Sequence, residues 1–218
     1  MLDAATMMQV QMIGSWLRHS KTLMEDWGLR RQLRSGYRAL FHGPPGTGKT
    51  MAAHLIAKAA GLPVYRIDVS RVSGPLLDRA GILLIEIDLL HADDRAANQQ
   101  LAYLLQRLED YPGLAILTSN VRGWMDEAFA RRFESVIHFE MPSAAERLAL
   151  WRQHFGGGVL KPGGDVDFEA LAERYVLSGG SIVNVLRYVA LMAAERGAPV
   201  IHAADLEEAI GLEVAKSV

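Results

Sequence analysis

His42-Gly43-Pro44-Pro45-Gly46-Thr47-Gly48-Lys49-Thr50-Met51 is the stretch on which the fold turns. Residues 43–50 fit the pattern G-x-x-x-x-G-K-[ST] at every position. Each residue type there has a physical reason. Glycines let the backbone curl until successive N–H groups converge on one point, the geometry that phosphate oxygens require. Lys49 adds a positive charge aimed at the β- and γ-phosphates, and the Thr50 hydroxyl suits Mg²⁺. A helix continuing from Lys49 through Met51 would direct its positive dipole end at the same anion. The alternative is a chance match, and the context weighs against it: the loop follows a strand-like run and opens an Ala-rich helix.

Working outward, Tyr-Arg-Ala-Leu-Phe-His at 37–42 reads as the strand before the loop, and 51–60 as the helix after it, stopped by Gly61 and Pro63. Further strands are expected at 63–69, 82–85, 114–118 and 135–139. A long helix is expected at 94–109, with Leu101, Leu104, Leu105 and Leu108 on one face. Strands alternating with helices imply an α/β fold: a five-stranded parallel sheet sandwiched by helices. Upstream, apolar Val10, Ile13, Trp16 and Leu17 mark a helix over 4–18, Asp26-Trp27-Gly28 a break, and 29–33 a short helix. Beyond Pro142 the pattern is helical to the end, with glycine-rich loops at 156–158 and 162–164. The expected division is residues 1–141, the helix and nucleotide-binding domain, and 142–218, a C-terminal α-helical lid.

Composition narrows the classes. Half of the 218 residues are hydrophobic and 22% charged, an ordinary globular balance. The formal net charge of −2 gives no general attraction to nucleic acid or anionic lipid. Arg30, Arg31, Arg34 and Arg38 form a basic patch that reads as a solvated face or a subunit contact before it reads as a nucleic-acid site. With no cysteine there is no disulfide or thiolate chemistry. The seven histidines show no metal-binding spacing. The opening Met1-Leu2-Asp3-Ala4 lacks a signal-peptide pattern, and no stretch reaches the roughly 18 apolar residues of a membrane span. The expectation is a soluble, cytoplasmic protein with no membrane partner.

Gly-Pro-Pro-Gly-Thr-Gly-Lys-Thr resembles the form of this loop in AAA+ ATPases, and other segments follow that family in order. Leu114-Ala115-Ile116-Leu117-Thr118-Ser119-Asn120 resembles the strand ending in the sensor-1 asparagine. Asp126-Glu127-Ala128-Phe129-Ala130-Arg131-Arg132-Phe133 resembles the segment of the arginine fingers. Leu177-Ser178-Gly179-Gly180-Ser181-Ile182 resembles the start of the lid helix. More narrowly, residues 37–50, 64–72, 94–110 and 177–188 are similar to ATPases encoded with phage-tail-like contractile injection systems.

The resemblance implies ATP and Mg²⁺ as cofactors, with residues 43–51 (Gly43, Pro44, Pro45, Gly46, Thr47, Gly48, Lys49, Thr50 and Met51), Gly180 and Ser181 binding the nucleotide. It implies Asn120 positioning water, and Arg131 and Arg132 reaching the ATP of the next subunit in a ring, usually a hexamer. The output would be remodelling of a protein partner. Plainer readings stand beside these. Asn120 is also a turn residue, Arg131 and Arg132 also complement a helix dipole after Asp126 and Glu127, and Ser181 also reads as an N-cap. An arginine found near Val183 in some relatives is absent.

The family's second acidic motif departs from its pattern. Ile82-Leu83-Leu84-Ile85-Glu86-Ile87-Asp88-Leu89-Leu90 allows two registers. In one, Ile87 occupies the place of the water-activating Glu. In the preferred one, Glu86-Ile87-Asp88 matches Glu-Ala-Asp and an Asp before Glu86 is missing. Glu86 is then the catalytic carboxylate, with Thr50, Glu86 and Asp88 toward Mg²⁺. Spacing deepens the anomaly. A six-residue strand runs roughly 20 Å, while residues 75–80 as a helix return only roughly 9 Å, and the aromatic pore loop of relatives has no counterpart. Either loops near 73–75, 80–82, 85–86 and 90–92 are absent from the sequence, or the protein is divergent. Two rival functions remain: a regulatory or assembly subunit that binds ATP with little turnover, and a DNA-directed loader.

Overall fold

The computed structural model describes residues 2–68, 81–87, 95–120 and 127–216. They group into two compact units. One comprises Ala4–Pro44 and Gly48–Phe139; the other comprises Glu140–Val218 with Met1–Asp3 and Pro45–Thr47.

The first unit is built on five parallel strands: β1 (Tyr37–His42), β2 (Val64–Asp68), β3 (Ile82–Glu86), β4 (Leu114–Ser119) and β5 (Ser135–His138). Their order across the sheet is β2-β3-β4-β1-β5. All four pairings are parallel. Every residue of β4 is buried, as are the first four of β3. That explains their unbroken apolar runs, since a strand covered on both faces gains nothing from polar alternation. Helices α2 (Lys49–Ala60) and α3 (Arg95–Leu108) make the crossovers. The path through α2 runs from β1 toward the β2 edge, and the path through α3 runs back from β3 to β4. Right-handed crossovers in opposite directions put the two helices on opposite faces.

Strand alternation decides what each helix meets. Leu40, Leu83, Ile85, Ile87, Ala115 and Leu117 pack with Leu104, Leu105 and Leu108 of α3, and with Phe133. The intervening positions, among them Ala39, Leu84, Glu86, Ile116 and Thr118, therefore face the α2 side. Helix α1 (Ala4–Lys21) buries Ile13 completely, and its Thr6 hydroxyl donates to the carbonyl of His138 at 3.3 Å. Helix α1 runs on into a π-helical turn, Thr22–Asp26, and the expected break falls at Trp27 and Gly28, the latter at φ +69°. A single 3₁₀ turn, Leu29–Arg31, stands where a short helix over 29–33 was expected. Helix α4 (Glu127–Ala130) is one turn long.

Residues 85 and 86 lie within one strand. Ile85 and Glu86 pair in sequence with Leu117 and Thr118 on one side and with Ile67 and Asp68 on the other. The junctions at 73–75 and 90–92, and residue 80, lie outside the described residues.

The second unit carries α5 (Ala144–Phe155), α6 (Phe168–Arg174), α7 (Gly179–Glu195) and α8 (Ala203–Ala215). Trp151, Phe155, Ile182, Val185, Val189, Leu206 and Ile210 form its core. Buried Arg147 clamps it from within, donating to the carbonyl of Ala172 through Nε (2.9 Å) and Nη2 (2.7 Å) and to that of Pro142 through Nη1 (2.5 Å). The purely helical expectation needs a correction. Lys161–Pro162 and Val200–Ile201 form a short parallel pair, β6 and β7. Two residues are too few to print a period-2 pattern in sequence.

Candidate functional site

The phosphate loop takes its shape from three glycines in the left-handed half of backbone space: Gly43 (φ +139°), Gly46 (φ +75°) and Gly48 (φ +101°). At Gly43 the requirement is also steric. A Cβ there would stand 2.1 Å from the carbonyl oxygen of Phe139, so no larger residue could follow β1 at this point. Gly48 is the N-cap of α2 and offers no side-chain bond to it. Helices α5, α6 and α7, by contrast, are capped by the side chains of Ser143, Asp167 and Ser178. The first-turn amides of a helix have no intrahelical acceptor, and they lie at its positive dipole end. An uncapped start framed by left-handed glycines fits an anion.

Lys49 is the first residue of α2, yet it is 7% exposed. Its ammonium donates to the carbonyls of Gly43 and Pro44, each at 2.8 Å, and to Oδ1 of Asn120 at 2.6 Å. Three donors thus meet three acceptors. Asn120 is within reach because β4 runs beside β1 in register, Phe41 with Thr118 and His42 with Ser119. The amide of Gly43 also donates to the carbonyl of Ser119 at 3.2 Å. The structure therefore brings together Lys49, the loop carbonyls and Asn120. Thr50 follows, half-buried, on the first turn of α2, and Met51 points outward, 62% exposed.

Within the second unit, the amide of Gly180 donates to the carbonyl of Gly46 at 2.9 Å. The N-cap of α7 is Ser178, whose hydroxyl accepts from the amide of Ser181 at 3.1 Å. The capping role considered for Ser181 thus belongs to Ser178, and the helix opens at Gly179 rather than Gly180.

Glu86 ends β3 on the α2 side and is ion-paired with Arg66 of β2. Parity explains the contact: Arg66 and Glu86 occupy same-face positions on adjacent strands, two residues apart in register. Ile87 turns the other way into the core and donates its amide to the carbonyl of Thr118 at 2.9 Å. Asp88 lies outside the described residues. A hydroxyl and carboxylates are the right donors for a hard cation, and Thr50 and Glu86 supply such groups. Arg131 and Arg132 follow α4, both exposed. Arg131 pairs with Glu127 of its own turn at 2.5 Å. Sequence reasoning passed over Arg66, whose only signal was its even spacing from the strand end, and Ser178, whose signal was a serine three residues ahead of Ser181.

The model of the family described as "ATPase family associated with various cellular activities (AAA)" matches residues 39–141. That span contains the loop, Lys49, Glu86, Asn120, Arg131 and Arg132. The chain carries an AAA ATPase domain. It is 32% identical over 206 residues to the ATP-dependent zinc metalloprotease FtsH 3 of Sphaerobacter thermophilus, covering 81% of this chain and 42% of that protein. It is 31% identical over 231 residues to the protein of the same name from Symbiobacterium thermophilum, covering 91% of this chain and 36% of that protein. The chain thus spans less than half the length of these relatives. The aligned stretches are also longer than the share of this chain that fills them, so the relatives carry segments with no counterpart here. A solved structure described as the structural basis for katanin self-assembly matches with a TM-score of 0.65 at 22% identity, over 91% of this chain and 80% of that one. At that identity the likeness shows the fold, and it is the AAA fold: a parallel five-stranded sheet flanked by helices, with a helical C-terminal region. Among the described residues no helix is long and apolar enough to cross a membrane.

Proposed function

We propose that this AAA domain binds ATP in the loop at 43–50 and hydrolyses its β–γ bond within a homo-oligomeric ring, a hexamer, to remodel a protein partner in the cytoplasm. The observation that carries the reading is the Lys49 ammonium, buried inside a glycine-shaped loop and bonded to Asn120. A charge held there is prepaid orientation. Triphosphate oxygens replace the loop carbonyls as its acceptors, and the first-turn amides of α2 receive the rest of the anion. Thr50, Glu86 and Asp88 would hold Mg²⁺, which supplies charge neutralisation on the phosphate oxygens. Asn120 orients the attacking water, Glu86 takes its proton, and Arg131 and Arg132 act on the nucleotide of a neighbouring subunit. The narrower reading, an ATPase working with a phage-tail-like contractile injection system, rests on the resemblance of residues 37–50, 64–72, 94–110 and 177–188.

One observation favours a second reading. Glu86 is engaged by Arg66, as suits a regulatory or assembly subunit that binds ATP and turns it over little. Mg²⁺-dependent phosphate release by the assembled wild type and by Glu86→Gln separates the two. Turnover in the wild type that is lost in Glu86→Gln, with ATP binding kept, supports hydrolysis. An intact ring that binds ATP and releases no phosphate supports the regulatory reading.

A further inference from the structure

We propose that Arg38 and Glu134 form a positioning clasp for the Arg131-Arg132 turn, so that arginines working on a neighbouring copy's triphosphate are aimed from β1 of their own subunit. The inference rests on the trans role proposed above for those arginines. Arg38 is charged, yet its side chain is 5% exposed; that of Glu134 is 29% exposed. Four bonds join the two residues. The Arg38 guanidinium donates from Nη2 to Oε1 at 2.7 Å and from Nε to Oε2 at 3.3 Å. The Arg38 amide donates to Oε2 at 2.7 Å, and the Glu134 amide donates back to the Arg38 carbonyl at 3.0 Å.

Glu134 stands one residue before the first β1–β5 partners, Ala39 and Ser135. Its carboxylate accepts the Arg38 amide just outside the paired stretch. The clasp thus marks the point where β5 starts and the arginine turn ends. On the other side of the arginines, the amides of Arg132 and Phe133 bond the carbonyls of Phe129 and Ala130, both at 3.1 Å. Phe133 itself is 9% exposed and its ring lies 5.2 Å from that of Phe129. Arg132 is two residues from Glu134, and consecutive Cα atoms are about 3.8 Å apart. The clasp on one side and the Phe129–Phe133 packing on the other thus hold both ends of the turn that carries the two arginines. Misplacement of a reacting group by 1 Å costs roughly 10²-fold in rate.

The test uses ATP turnover and mixed oligomers. Glu134→Gln keeps the shape and loses the charge; Arg38→Lys keeps the charge and loses the two-pronged contact. Both should bind ATP as the wild type does and lose roughly 10- to 100-fold in kcat. Mixing either with Lys49→Ala subunits should restore turnover, because the intact loop of the clasp variant then meets intact arginines from its neighbour. Damage confined to the variant's own site would not be rescued in this way. Loss of turnover without rescue on mixing overturns the clasp. So does wild-type turnover in both clasp variants while Arg131→Ala/Arg132→Ala is inactive, an outcome that leaves the trans role standing. Full turnover in that double variant removes the trans role, and the clasp with it.

Discussion

Lys49 Nζ lies 2.6 Å from Oδ1 of Asn120, a bond that ties the first residue of α2 to the residue following β4. Two strands meet there: β1 delivers the loop and β4 delivers the amide, held level by six consecutive parallel pairs. The lysine is thereby presented with its charge already turned inward. On the function proposed above, an incoming phosphate would exchange acceptors on an ammonium that is already in place.

Asn120→Ala should leave ATP affinity within a few-fold of the wild type and lower kcat roughly 10²-fold, the scale of losing one placed hydrogen-bonding group. Asn120→Asp should act differently, because a carboxylate in that place neutralises Lys49 and weakens ATP binding itself. Nucleotide titration and steady-state turnover on the two variants check the contrast.

Arg66→Ala should release Glu86 and raise basal turnover. The pair is partly exposed, worth at most about 1 kcal/mol after solvent screening, so the increase is bounded at about fivefold. It should shrink as salt rises, because salt weakens the pair in the wild type as well. Phosphate release measured across a salt series reads both effects.

Gly43→Ala should fail structurally before it fails chemically. The backbone there is at φ +139°, and a Cβ would meet the Phe139 carbonyl at 2.1 Å. Reduced soluble yield and a lowered Tm without nucleotide are expected. Gly61→Ala is the comparison: it is strained by φ +66° but meets no atom within 4 Å, and should cost less.

Asp205 joins two tasks in the helical unit. It accepts from Arg196 twice at 2.7 Å and from the amide of His202 at 2.9 Å. The Arg196 contact holds its carboxyl below the usual range. A lowered folded pKa stabilises above the unfolded value and is lost as pH falls through the folded one. Asp205→Asn should therefore lower Tm by roughly 2–4 °C at neutral pH for a loss of about 1 kcal/mol, and the gap from the wild type should close in acid. Thermal melts from pH 7 down to 3 measure it.

The phosphate loop was legible because glycine, lysine and threonine at fixed spacing have few other uses, and the sheet because its strands are apolar runs bounded by turn residues. Asn120 followed from being the residue that ends such a run. The contacts that qualify the site were hidden for a different reason. Arg66 with Glu86, and Arg38 with Glu134, join residues 20 and 96 positions apart, and only sheet register makes them neighbours. Strand order β2-β3-β4-β1-β5 is not written in any local pattern. Likewise β6 and β7 pair residues 39 positions apart with two residues each, too little to signal a strand.

The most direct test of the account is a calorimetric titration of the full chain with ATP and saturating Mg²⁺, alongside Lys49→Ala. Saturable binding by the wild type is expected, with binding weakened at least roughly tenfold when a charge-assisted phosphate contact is removed. Equal affinity in the two proteins, or no heat of binding in a folded wild type, would contradict it.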